Sequence, residues 1–234
     1  MEWQAKLPRP VLNTQCSATT DEDHAEDSSK HQGRKRSFPH ERGIWSSYVY
    51  VDYGEADALV RLQEEWINVL QTSHLFDFQI IDRMHLSLTK TFTIRHHNIA
   101  PFVSSLQELV GACQRFRLEF EGVGVYVNEE RSRTFIGIRI AEVSWGPLNA
   151  LVNKLDECLR EYKLPPFYTD RSFHISLLWS LGDQREAISK VLPKLTQLFD
   201  DTYEEEYCDL SQATRKLSFK CGNKFYRLPL ACQK

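Results

Sequence analysis

Histidine and serine recur in one short word at two places in this chain, His85-Leu86-Ser87-Leu88 and His174-Ile175-Ser176-Leu177. Histidine exchanges protons near neutral pH, with an ordinary pKa of about 6.5. A neutral imidazole takes a proton, a protonated one gives a proton, and a serine hydroxyl donates to an anionic oxygen. Two imidazoles and two hydroxyls around one phosphorus suit in-line cleavage of RNA. The base takes the proton of a ribose 2′-OH, that oxygen attacks the adjacent phosphorus, and the acid protonates the departing 5′-oxygen. The serines stabilise the charge that gathers on the non-bridging oxygens. The first product carries a 2′,3′-cyclic phosphate, which water opens with the two roles exchanged. This route needs no metal and no cofactor.

The words sit in apolar stretches that read as strands. Successive strand side chains point to opposite faces, so His and Ser at i and i+2 share a face. Met84, Leu86 and Leu88 then point to a core, as do Phe173, Ile175 and Leu177. One His-x-Ser alone carries little, because serine is common. The pair carries more, since two of the eight histidines have the pattern in matching apolar context. A zinc site is poorly supplied. No Cys, Asp or Glu lies two positions from either histidine, and Asp82 is an odd number of positions away.

The elements that must hold these strands follow in order. Residues 1–37 are rich in Ser, Thr, Asp, Glu, Pro and Gln and read as a disordered tail, with residues 38–234 as the folded domain. The basic run Gly33-Arg34-Lys35-Arg36 is a solvated linker, a nuclear address or a phosphate contact. Trp45–Val51 reads as a strand and 55–71 as a helix, with the first motif strand over 80–92. Asn98 as N-cap and Pro101 in the first turn open a helix to about Cys113. Strands are expected over 116–120, 123–127 and 134–140, and a helix over 144–162 ended by Pro165-Pro166. The second motif strand spans 173–181. Asp183 and Glu186 start a helix toward Phe199 that bends or splits at Pro193. A hairpin closes on Gly222-Asn223. Counting by twos from His85 puts Thr89 on the motif face and Lys90 away from it.

Composition bounds the partners. The chain has 234 residues, 41% of them hydrophobic and 26% charged, with net charge −3. A general nucleic-acid coating domain is usually strongly basic, so any RNA grip here is a small local site. No apolar run reaches the 18 or so residues of a membrane helix, and no secretory signal is read. Six scattered cysteines without CxxC spacing read as reduced thiols.

The tandem His-x-Ser arrangement resembles the 2H phosphoesterase superfamily. Wider stretches are similar to one branch of it, the phosphodiesterases of U6 small nuclear RNA. They are Phe38-Pro39-His40-Glu41-Arg42-Gly43, Arg133-Thr134-Phe135-Ile136-Gly137, Phe167-Tyr168 through Leu177, and Gly222-Asn223-Lys224-Phe225. The resemblance implies an α+β fold of two pseudo-symmetric lobes, each with an antiparallel sheet and flanking helices, and an active cleft between them. It implies a monomeric, metal-independent 3′-to-5′ exoribonuclease that trims the 3′ oligouridine tail of U6 snRNA in the nucleus. By motif position it implies His85 and His174 as the catalytic pair, Ser87 and Ser176 as phosphate binders, and Tyr168 as the ring that stacks on the terminal base. His174 is expected as base and His85 as acid, an assignment the near-symmetry of the words does not itself settle. Asn223 and Lys224 either reach substrate or only make the turn. Other members' chemistry, opening a cyclic phosphate or a 2′-5′ linkage, is the alternative; a non-catalytic RNA-binding protein is the third reading.

Overall fold

An aromatic and β-branched run builds the strand that ties the first half together. β1 (Ile44–Asp52) pairs antiparallel with β3 (His85–Ser87), β4 (Phe92–Arg95) and β8 (Lys216–Cys221). The computed structural model describes residues 43–211 and 213–232. The expected tail and all of Phe38-Pro39-His40-Glu41-Arg42-Gly43 except Gly43 lie outside the described residues.

The remaining strands are β2 (Gln79–Ile80), β5 (Phe120–Val127), β6 (Arg133–Ile140), β7 (His174–Leu181) and β9 (Lys224–Pro229). The helices are α1 (Asp57–Thr72), α2 (His96–Gly111), α3 (Trp145–Glu161), α4 (Arg185–Ser189), α5 (Leu192–Glu205) and α6 (Tyr207–Leu210). The sheet order is β5-β6-β7-β3-β1-β8-β9, with β2 added to β7 and β4 to β1. The α+β architecture with antiparallel sheets is as expected. Its two halves are not separate sheets, however. They join edge to edge through β3 and β7 into one nine-stranded sheet.

Alternation decides which face each residue covers. Val49, Val51, Leu86, Leu88, Ile175, Leu177, Leu217 and Phe219 are all buried in the core. The motif residues beside them point to the other face. Helix α1 locks the junction from the core side: the buried Gln63 amide donates to the carbonyls of Leu177 at 2.6 Å and Ile81 at 3.1 Å. The Trp66 indole donates to the Leu195 carbonyl of α5 at 3.1 Å.

Several local expectations are corrected. The first motif strand is three residues long, not a run over 80–92, because Thr89 Oγ1 takes the Val49 N–H at 3.0 Å and ends the backbone ladder. Helix α2 starts at His96, not at an Asn98 cap. Strand β4 runs straight into it, and the His96 N–H is spent on the Gly43 carbonyl at 3.0 Å. Residues 116–120 are not a strand: Phe116 makes one isolated bridge to Thr214, and β5 begins at Phe120. The helix after β7 splits as expected, with Pro193 in the first turn of α5. Gln184, not Asp183, is the N-cap residue of α4; the Asp183 carboxylate still accepts the Arg185 N–H at the helix start at 3.3 Å, and it binds the Arg185 and Arg131 guanidiniums at 2.7 and 3.2 Å.

Gly137 makes the junction of β6 and β7 possible. A Cβ there would meet the Ile175 carbonyl oxygen at 2.3 Å, beside a bulge in the pairing. Such close backbone approach selects glycine. Gly137→Ala is therefore expected to lower stability by about 1–3 kcal/mol, the usual range for overpacking. The readout is the urea midpoint, and an unchanged midpoint would contradict the tight approach.

Candidate active site

The two motif strands meet at a single registered pair, Leu86 opposite Ile175, both at most 1% exposed. Extending this antiparallel register by one step sets His85 beside Ser176 and Ser87 beside His174. All four then share the face opposite the core. Directly opposed residues have Cβ atoms about 4.5–5.5 Å apart and diagonal ones about 7–8 Å. The histidines are the diagonal pair, a separation that admits one phosphate between imidazole tips. The structure thus brings together the four residues read from the two words.

Both rings are anchored alike. His85 Nδ1 lies 2.8 Å from the Arg83 carbonyl and His174 Nδ1 lies 3.0 Å from the Ser172 carbonyl. A carbonyl only accepts, so each Nδ1 carries the proton and donates. Nε2 is then the nitrogen left for chemistry in each ring.

Their surroundings differ. His174 lies under Tyr126, with ring centroids 3.7 Å apart and planes 12° from parallel. Two strand glycines, Gly124 and Gly137, are paired beside it. A Cβ on Gly124 would meet the Tyr126 ring, so glycine is what lets that ring lie flat toward His174. Burial, and next the nearby His85 charge, push the His174 pKa down to about 4, against its backbone bond. His85 packs between Tyr48 and Tyr50 at 5.4 and 5.3 Å. Burial lowers its pKa too, but the Arg83 carbonyl and the Asp52 carboxylate oppose that shift, while Lys220 adds to it. Asp52 is the residue registered directly opposite His85 on β1.

A family profile described as HVSL, an uncharacterised conserved protein, matches residues 5–229. U6 snRNA phosphodiesterase 1 of Bos taurus is 35% identical over 96% of this chain and 84% of its own length. The Homo sapiens protein of that name is 36% identical over 96% and 83%. That of Drosophila melanogaster is 37% identical over 89% and 79%. The chain belongs to the U6 snRNA phosphodiesterase family. Membership makes it an enzyme of the phosphodiesterase class. The fold agrees with that of Kluyveromyces marxianus Usb1, at TM-score 0.53 and 16% identity over 82% of this chain and 100% of that one. A second structure of that protein, with uridine monophosphate, gives TM-score 0.51 at 18% identity, over 80% of this chain and 98% of that one.

Within this family framework the remaining expected residues divide. Tyr168 is 43% exposed on the loop between α3 and β7. That loop is tied to α3: buried Asp156 accepts the Phe167 N–H at 2.7 Å and holds Arg171 at 3.2 Å. Lys90, expected to point away, instead places its ammonium 4.0 Å above the Tyr168 ring and 3.5 Å from Glu129. Strand β3 has already ended at Ser87, so alternation no longer governs residue 90. The ammonium covers one face of Tyr168, and Phe167 meets the same ring edge-on with centroids 5.2 Å apart. Asn223 lies in the β8–β9 turn. Lys224 is registered opposite buried Cys221, on the face away from His85. The next residue, Phe225, is registered opposite Lys220 on the motif side.

Sequence reading missed Asp52, Tyr48, Tyr50 and Tyr126. Tyr48 and Tyr50 sit in the strand expected over Trp45–Val51, Asp52 lies one residue past that expected end, and all three have the parity of the motif face. Tyr126 had one usable signal, the interior glycines at 124 and 137 that mark room above a strand.

Proposed function

We propose that this protein is a metal-independent 3′-to-5′ exoribonuclease that trims the 3′ oligouridine tail of U6 snRNA, acting in the nucleus as a monomer. The observation that carries the reading is the matched pair of Nδ1–H bonds about the Leu86–Ile175 seam. It leaves two Nε2 atoms on one face with different proton affinities.

His174, strongly held neutral, takes the proton of the penultimate ribose 2′-OH at Nε2. The O2′–P bond forms as the P–O5′ bond breaks. His85, whose charged form Asp52 favours, gives its Nε2 proton to the departing 5′-oxygen. Ser87 and Ser176 donate to the non-bridging oxygens. The shortened RNA keeps a 2′,3′-cyclic phosphate, and the released piece is a nucleoside with a free 5′-OH. Water attacking with the roles reversed leaves a 3′-phosphate. Tyr168 stacks on the terminal base through the face opposite the Lys90 ammonium, an interaction of about 1–3 kcal/mol.

Digestion of a 5′-labelled oligouridine-tailed RNA tests this. The expected result is a ladder shortened from the 3′ end, product masses that carry a cyclic phosphate or its hydrolysed form, and the same rate in EDTA. Internal cuts, or loss of activity in EDTA, would refute the reading. Hydrolysis of 2′,3′-cyclic UMP with RNA left at full length would reassign the enzyme to the cyclic-phosphate branch.

A further inference from the structure

The motif face continues past the histidines onto the outer strands of the first half. The register Tyr48 to Lys220 to Phe225 forms a row across β1, β8 and β9. Phe225 ends it as a large apolar ring that is 50% exposed. Arg83, two residues before His85, places its guanidinium 4.5 Å from the centre of that ring. The Lys220 ammonium lies 5.6 Å from the same centre and 5.8 Å from the Tyr48 ring. Tyr48 in turn packs on His85 at 5.4 Å. An aromatic and cationic path therefore leads from the His85 imidazole to an exposed ring. The Phe225, Arg83 and Lys220 side chains transfer no proton in the bond-breaking step.

Exposed aromatics beside paired cations are how single-stranded nucleic acid is held: bases stack on the rings and phosphates meet the charges. Phe225 stands three strands from β3, about 14 Å at the usual strand spacing. That is beyond the nucleotide at the catalytic pair. Tyr168 stands on the other side, on the loop leading into β7. We propose that Phe225, Arg83 and Lys220 form a second base subsite, which holds a nucleotide of the substrate strand upstream of the scissile phosphate. The proposal rests on the reading of the protein as a 3′-end ribonuclease, and it adds a reason for the enzyme to prefer a strand over a dinucleotide.

The test compares kcat/KM for the first cut of heptauridylate with that for the dinucleotide UpU, in the full-length chain. In Phe225→Ala the heptamer-to-dinucleotide ratio is expected to fall by about 5- to 150-fold, the loss of one base stack. Phe225→Trp keeps the ratio. Arg83→Ala and Lys220→Ala each flatten the salt dependence of heptamer cleavage. An unchanged ratio in Phe225→Ala, or an equal loss on both substrates, would overturn the subsite. If the wild-type protein cuts neither RNA, the proposed function fails instead. Fluorescence anisotropy with labelled heptauridylate then decides the subsite alone: weaker binding by Phe225→Ala supports it, and equal binding as a protein-docking surface would give overturns it.

Discussion

His174→Ala and His85→Ala are each expected to lower kcat/KM for shortening of oligouridine RNA by about 100- to 10,000-fold, the range for loss of a general acid or base. The fold should survive both changes. Each imidazole donates one bond to a carbonyl two residues away in its own chain, and such a bond contributes about 1 kcal/mol net. The apolar anchors of the junction, Leu86 and Ile175, point the other way and stay in place. The double variant should be little worse than either single one, because two groups that move one proton through one transition state act as a unit. Circular dichroism and urea midpoints confirm folding beside the rates. A single variant that keeps near wild-type turnover while folded would remove that histidine from the chemistry.

The contrast between what could and could not be read in advance is physical. The four motif residues were legible because strand alternation is local: Leu86 and Ile175 had to be buried, so their neighbours had to face out. That the two faces meet was suggested by duplication of the word, and the β3–β7 seam supplies it. Lys90 escaped because the counting rule needs a strand, and a threonine hydroxyl ends β3 before it. The Asn98 cap failed because a tertiary hydrogen bond to Gly43 fixed the helix start earlier. Tyr126 and Phe225 escaped for a different reason. Their placement depends on register between strands distant in the chain, which a single sequence does not carry.

The pH dependence should be displaced to the acid side, and one substitution should identify the limb that His85 sets. In the free enzyme the base must be neutral and the acid protonated. His174, with its pKa pushed down to about 4, gives an acid limb near pH 4. His85, lowered from 6.5, gives an alkaline limb with its midpoint below 6.5. The kcat/KM optimum is then expected between these limbs, with about a tenfold loss per pH unit above the second one, and so at least about 100-fold by pH 8.5. Binding an anionic phosphodiester favours the protonated imidazole, so the alkaline limb of kcat lies higher than that of kcat/KM. Stability has its own sign. The unfolded chain protonates His174 near pH 6.5, whereas the native state resists until about 4, so this group's contribution is lost as pH falls through that window. Folding must therefore be monitored along the acid limb. Asp52 faces His85 in register and raises its pKa. Asp52→Asn should move the alkaline limb downward and leave the acid limb where it is. A shift of the acid limb instead would give His85 the lower of the two pKa values and contradict this assignment of the limbs. An optimum at or above pH 7.5 in kcat/KM would refute the displaced pair altogether.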